Sequence, residues 1–289
     1  MRSIREKELE VIQEQFFQFL KENNDDIDHL AVFNLLQTHG KVKECIEFAK
    51  TTGSHKELII HYLNNHEYRK ALEHMQLIKD KKVRSEQMKI YASIFFKNEP
   101  KETLKALRAD RFRDIALESL IPAMHEIPDW ANKQARDFLT EYCIKIKRST
   151  AKAVHNMAFN LYVHGENLED LIERLKKEEA NKQQGQPIFF EVDYAINVCQ
   201  RKIEKLEGEQ QKHGRNHGQQ INMIKKAQII LYGMMNAYSK AVKKALEIND
   251  TDMARDYANK PQSAKTRKKL WMKIAKHLFR SEVPNTAGQ

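Results

Sequence analysis

The chain is poor in the residues that make tight turns, metal cages and catalytic loops. Its 289 residues include 9 glycines, 6 prolines and 3 cysteines. The glycines are scattered, so neither a GxGxxG fingerprint nor a P-loop can be read, and no nucleophile elbow or kinase signature occurs. Cys45, Cys143 and Cys199 lie far apart, without the CxxC or Cys/His spacing that zinc requires. They are expected to be free, buried thiols in a reducing compartment. No window approaches the length of apolar chain that spans a bilayer, and the opening MRSIREKELEVIQEQFF lacks an apolar signal core. A cytoplasmic protein is therefore expected, with any membrane association peripheral or through partners. Alternating β-branched strand patterns are also scarce. Catalytic, cofactor-binding and metal-ligating residues are all predicted to be absent. His213 and His217 have the i,i+4 spacing of a helical metal pair, but the glycines around them disfavour a helix and no third ligand is at hand.

Charge and helix formers dominate what is present. Charged residues make up 31% of the chain and the formal net charge is +10. From Ile221 onward there are 14 Lys and Arg against 5 Asp and Glu, a net of +9, which leaves the first 220 residues near neutral. Such asymmetry points to an anionic partner at the C-terminal end. Leu, Lys, Glu and Ala fill segment after segment at helical spacing, so an all-α fold is predicted.

Candidate helices follow one another closely. The first runs from Ile4 to Lys21 with Leu9, Ile12, Phe16, Phe19 and Leu20 on one face. Asp26 is the expected cap of the next, and Gly40 its left-handed stop. Short helices are expected over residues 42–49, 56–63, 68–75, 83–96, 103–107 and 111–120. Past Pro122 and Pro128, a helix is expected to pass through Trp130, Ala135, Phe138, Leu139 and Tyr142. The pair 151–163 and 168–177 follows.

A short pattern recurs at helix starts. An apolar or aromatic residue is followed three positions on by a small residue and then by an apolar one. It reads Val42/Cys45/Ile46, Tyr68/Ala71/Leu72, Pro100/Thr103/Leu104 and Tyr238/Ala241/Val242, with Phe112/Ile115/Ala116 as a looser copy. The small residue lets two helices approach closely. None of these short helices can bury its stripe alone, which is the condition for a stacked array of helical hairpins. The uneven spacing of the starts at 42, 68, 100 and 112 fits the loose clathrin heavy-chain type of repeat better than a fixed tetratricopeptide period of about 34 residues. An ordinary helical bundle is the plainer alternative.

Two segments lack periodicity. Glu178–Pro187 reads as an exposed loop. Ile203–Gln220, with three glycines, reads as a disordered polar insertion. Between them Ile188–Cys199 reads as a helix. The expected organisation is a first solenoid part over 1–202, the insertion at 203–220, a C-terminal solenoid part over 221–280 and a disordered tail at 281–289, with a sub-domain boundary near Gly208.

The C-terminal part carries the sharpest features. Tyr238, Ala241, Val242, Ala245 and Leu246 form one stripe, Met253 and Tyr257 a second, and Trp271, Ile274 and Leu278 a third. At 100° per residue, Lys265, Lys269, Lys273, Lys276 and Arg280 fall in one sector of about 80° opposite that third stripe. They are the candidate contact to an anionic surface or partner; a solvated face is the alternative. Trp271 is assigned to the core.

The order YxxAVxxAL, DxxMARxYA, polar turn, RKKLWMKIAKH resembles the clathrin-type helical-repeat region of the deep-orange family, the vacuolar protein sorting-associated protein eighteen family of endolysosomal tethering subunits. LIPAM at Leu120–Met124, AVHNMAFNLYVHGENLEDLIERL at Ala153–Leu175 and DYAINVC at Asp193–Cys199 extend the likeness, with Tyr238, Ala241 and Trp271 as its structural signature. The resemblance implies an α-solenoid scaffold, not an enzyme, that supports vesicle docking, endosome-to-lysosome or vacuole transport and membrane fusion within the HOPS and CORVET complexes. It further implies other tethering subunits as partners, Rab GTPases and SNARE proteins reached through them, and a place on late endosome, lysosome or vacuole membranes. No nucleic acid is expected. The family's β-propeller and RING finger have no counterpart in these residues, so RING-dependent roles are not carried over and a fragment or a short homologue is expected. The alternatives are another clathrin-like or tetratricopeptide-like trafficking adaptor, or an RNA-associated helical-repeat protein using the basic C-terminal helix.

Overall fold

The computed structural model describes residues 4–23, 26–113, 115–213 and 216–282. Every regular element among them is helical. The chain divides into two compact units, residues 1–131 and 132–289. The division falls at Ala131, not near Gly208 as composition suggested.

The first unit holds α1 (Ile4–Glu22), α2 (His29–Thr38), α3 (Val42–Thr52), α4 (His55–Asn64), α5 (Tyr68–Leu77), α6 (Lys81–Asn98), α7 (Pro100–Arg108) and α8 (Ile121–Met124). The second holds α9 (Asn132–Asp137), α10 (Lys152–Val163), α11 (Leu168–Gln183), α12 (Val192–His213), α13 (Gly218–Met234), α14 (Tyr238–Glu247), α15 (Thr251–Asn259) and α16 (Ala264–Glu282). Within each unit the principal packing is of a helix on the next, or the next but one. Examples are α4 on α5 and α5 on α7 in the first unit, and α11 on α13 and α14 on both α15 and α16 in the second. That is the neighbour-only packing of stacked hairpins.

One turn builds several of these hairpins. Gly40, His66, Asn236 and Asn249 all have φ between 56° and 67°. In each case the following N–H reaches back to close a six-residue loop: Lys41 to Leu36 O at 2.8 Å, Glu67 to Tyr62 O at 2.9 Å, Ala237 to Tyr232 O at 2.9 Å and Asp250 to Ala245 O at 2.9 Å. A left-handed residue with this bond satisfies the orphan carbonyls of the last helical turn. Three of the four copies of the recurring sequence pattern begin two residues after such a turn. Val42, Tyr68 and Tyr238 are the first residues of α3, α5 and α14, and Pro100 is the first residue of α7. The small residues Cys45, Ala71, Thr103 and Ala241 are each 0% exposed. The looser copy at Phe112 is not a helix start. Where a helix was expected over 111–120, the described residues hold two short 3-10 pieces, Asp110–Phe112 and Leu117–Leu120.

Three other local expectations change. The cap of α2 is Asp28, which accepts from the N–H groups of Leu30 and Ala31, and not Asp26. On α1, contact with α3 runs along the flank carrying Gln13, whose amide donates to Glu44 at 2.9 Å, and Leu20. Ile12, Phe16 and Phe19 therefore stay exposed, and the Leu9 side chain lies outside the described residues. Trp130 is 61% exposed in a 3-10 turn, while Ala135, Phe138 and Leu139 are buried through α9 and the following π-helix Phe138–Ile146.

The supposed insertion is the larger correction. α11 continues to Gln183, and α12 runs unbroken from Val192 through His213. Ile203 and Leu206 are 2% and 4% exposed, in one core with Ala195, Val198 and Cys199. The 3-4 spacing of that stripe carries the helix past Gly208, whose cost of about 1 kcal/mol is small beside the burial of two large aliphatic side chains. Gln-rich polarity marks the solvent side of these helices, not their absence. Phe190, expected within the helix, precedes it and stacks on Phe159 at 5.6 Å. Of the tail predicted at 281–289, Ser281 and Glu282 belong to α16; residues 283–289 and the side chain of His213 lie outside the described residues.

A polar clamp ties α11 to α13 and α15. The Tyr257 hydroxyl donates to Glu179 Oε2 at 3.0 Å, and the Lys260 ammonium donates to Glu179 Oε1 at 2.7 Å. That ammonium also lies 4.0 Å from the centre of the Tyr257 ring. Gly233 of α13 leaves the room: a methyl there would stand 2.2 Å from Tyr257 Cε1 and 2.6 Å from Glu179 Oε1. Burial and the Glu179 charge both push the Tyr257 hydroxyl pKa upward, so it stays a donor.

Candidate interaction surface on the C-terminal helices

The last three helices are assembled around a small apolar core. Ala241, Val242 and Ala245 of α14, Ala254, Tyr257 and Ala258 of α15, and Leu270 and Ile274 of α16 are buried together. Asp250 starts α15 by accepting from the Met253 N–H at 3.0 Å, and it pairs with Lys226 at 2.9 Å. Burial works to raise the Asp250 pKa, but the bonds from Lys226 and Met253 outweigh it and hold the carboxyl below its usual range. Arg267 closes the turn into α16 by donating to the carbonyls of Pro261 at 2.8 Å and Gln262 at 3.0 Å. The Tyr238 hydroxyl donates to Asn236 Oδ1 at 2.9 Å, linking the signature tyrosine to its turn.

Against this frame the predicted lysines fall as the helical wheel places them. Lys265, Lys269, Lys273 and Lys276 are all exposed, while the Arg280 side chain lies outside the described residues. Lys273 donates to Ser239 Oγ at 3.0 Å, and His277 Nε2 lies 3.2 Å from Asn249 Oδ1, so α16 is pinned along one flank. Between α14 and α16 lies a groove of about 430 Å³, lined by Lys243, Leu246, Glu247, Lys273, Lys276 and His277. Lys243 was not among the predicted contacts. Only the α14–α16 crossing brings it beside Lys273 and Lys276, and no spacing within one helix could have shown that.

Trp271 corrects the sequence reading. It is 40% exposed, and its indole N–H donates to Asn259 Oδ1 at 3.0 Å, so it seals the α15–α16 turn and does not fill the core. The buried seam of α16 is Leu270 and Ile274, one residue away from the stripe that Trp271 suggested. Met272 at 52% and Phe279 at 70% exposure were missed altogether. Their i,i+7 spacing was a visible signal that they share a face.

Among the described residues, no group of three or more His, Cys, Asp or Glu could hold a metal ion, and no helix is long and apolar enough to cross a membrane. Cys45, Cys143 and Cys199 are buried and none is in a disulfide, and burial pushes the Cys199 thiol up to about 12.

Consecutive hairpins, with buried small residues in the first turns of α3, α5, α7 and α14, are the architecture of an α-solenoid. The chain belongs to the family described as VPS18, alpha-solenoid domain, second half, whose profile matches residues 55–208 and 217–279. It is 24% identical over 284 residues to vacuolar sorting protein 18 of Arabidopsis thaliana, covering 96% of this chain and 26% of that protein. It is 25% identical over 276 residues to vacuolar membrane protein pep3 of Schizosaccharomyces pombe, covering 93% and 27%. The vacuolar protein sorting-associated protein 18 homolog of Drosophila melanogaster is 26% identical over 247 residues, covering 86% and 22%. The chain thus spans about a quarter of the length of the curated relatives it matches.

Proposed function

We propose that this chain is a non-enzymatic scaffold segment of a vesicle-tethering complex that serves endosome-to-lysosome or vacuole transport, docking and fusion. The match to the VPS18 solenoid family over more than half of the chain carries the reading, and the vacuolar sorting relatives support it. A neighbour-stacked array offers rigid reach and a long lateral surface, so its function is spread over helix faces and not held in one pocket. Its partners are the other tethering subunits, through which it meets Rab GTPases and SNARE proteins indirectly. It sits at the cytoplasmic face of late endosomes, lysosomes or vacuoles. Lys265, Lys269, Lys273, Lys276 and Arg280 form its contact to an anionic surface or partner.

The test is affinity purification of the tagged chain from its own cells, with co-eluting proteins identified by mass spectrometry. Recovery of several tethering subunits is expected. Recovery of ribonucleoproteins alone, abolished by nuclease, would replace this reading with an RNA-associated one.

A further inference from the structure

α16 has one buried line and a broad exposed one. Leu270 and Ile274 seat it on α14 and α15. At 100° per residue, Met272 and Phe279 point about 140–160° away from Ile274, and Lys265, Lys268, Lys269 and Lys276 lie about 120–220° away. The outermost face of the helix therefore alternates large apolar groups with ammonium groups. Met272 is 52% exposed and Phe279 70% exposed. The four lysines are exposed too, and among the described residues none of the ion pairs found involves them. Over Ala264–Glu282 there are seven Lys and Arg against one acidic residue, a net of +6.

We propose that this outward face docks on an anionic lipid bilayer. Met272 and Phe279 enter the headgroup layer and Lys265, Lys268, Lys269 and Lys276 meet the acidic headgroups. The inference rests on the lysine stripe read above and deepens it by naming the surface. Three physical points select a bilayer. Apolar side chains interleaved with lysines along a helix lying flat are the composition of an interfacial helix. Phe279 and Met272 gain only from a partner with an apolar layer beneath its charge, which a solvated acidic peptide lacks. Of the six side chains only Lys276 also lines the α14–α16 groove; Lys265, Lys268, Lys269, Met272 and Phe279 lie outside its concave walls, where an acidic segment would seat, and face a broad, gently curved surface. A 19-residue helix offers about 28 Å of such contact.

The experiment is flotation of the purified 289-residue chain with vesicles of phosphatidylcholine alone, or containing about one third phosphatidylserine. The wild-type chain is expected to float with the anionic vesicles only, and less as salt rises. The quadruple variant K265A, K268A, K269A, K276A should bind at least ~100-fold more weakly, since each lysine near the surface contributes about a factor of five. The pair M272S and F279S should lower binding roughly tenfold while leaving the salt dependence in place. All six positions are exposed, so both variants should melt with the wild type, which separates loss of binding from loss of fold. The proposal is overturned if the wild type fails to float at low salt, or if both variants float as it does. It is equally overturned if the face proves to hold an acidic protein or a second copy of the chain, seen as binding or self-association that blocks flotation. Capture of tethering subunits from cells is scored separately, so a chain that captures them without floating sinks this inference and leaves the scaffold reading standing.

Discussion

In residues 1–131 the polar groups sealed between helices include paired imidazole rings; in residues 132–289 they include a charged cluster on Glu179. His55 Nδ1 and His74 Nε2 lie 3.1 Å apart across the α4–α5 hairpin, and the Ser54 hydroxyl is 2.9 Å from His29 Nδ1. Burial, the neighbouring His55 and the Lys50 charge press the His74 pKa down to about 4. Burial also lowers His55 and His61. In the second unit, Glu179 accepts from Tyr257 and Lys260, and Lys182 reaches the Met234 carbonyl. The same repeat geometry thus tolerates two chemistries at its seams. A neutral pair avoids the cost of burying charge but fails when protons arrive. A paired charge keeps its bonds across a wide pH range but needs room cut for it.

Breaking that room gives the largest expected effect. Gly233→Ala places a methyl against both Tyr257 and Glu179, and should destabilise the second unit by about 3 kcal/mol, read from urea unfolding. Tyr257→Leu in the same chain should recover part of the loss, because it removes the ring that the methyl strikes. Matched overpacking in both units tests the shared geometry. Ala71→Leu in α5 and Ala241→Leu in α14 each fill a site that is 0% exposed, and each should cost about 1–3 kcal/mol. A cost in only one of them would show that the recurring pattern has different roles in the two units.

The difference between the seams is sharpened by pH. An unfolded histidine takes up its proton near pH 6.5, whereas folded His74 does so only at about 4. Between those values the unfolded chain binds more protons, so stability falls as the pH drops from about 6.5 to 4 and is unaffected by this group above that window. Hydrogen exchange should show α4 and α5 loosening first on acidification, and His74→Leu should flatten the dependence. His155 in the second unit is also lowered by burial, partly opposed by the Ser149 carbonyl, so some acid sensitivity is expected near α10. The smallest effect is expected at the turns. His66 holds φ 58°, and replacing it with Gly relieves that strain while losing the 2.7 Å contact to the Tyr68 hydroxyl. A net change below about 1 kcal/mol in thermal unfolding is expected.

Much of the hairpin array was legible in local spacing. The starts of α3, α5, α7 and α14 follow from a residue pattern because a turn and the first small residue of the next helix are neighbours in sequence. Gly40 was readable for the same reason, since glycine is the residue that adopts a left-handed stop without strain. His66, Asn236 and Asn249 signal it more weakly: asparagine and histidine are enriched at positive φ, but both are also common in ordinary helices and turns. Residues 203–213 were misread because polarity and glycine were weighed above the 199/203/206 stripe. Trp271 was misread because a helical wheel gives the relative angles of side chains but not which angle faces the neighbour.

Helical class, repeat logic, family and the basic end of the chain are determined by residue order alone, because each rests on contacts or charges a few residues apart. Tertiary structure decided the rest. Only packing chose Leu270 and Ile274 over Trp271 as the seam of α16, brought Lys243 beside Lys273 and Lys276, and set Tyr257 and Lys260 on Glu179 from some eighty residues away. A helix carries its stripes wherever it goes. Which stripe is buried depends on the shape of what it meets, and that is a property of the fold and not of the segment.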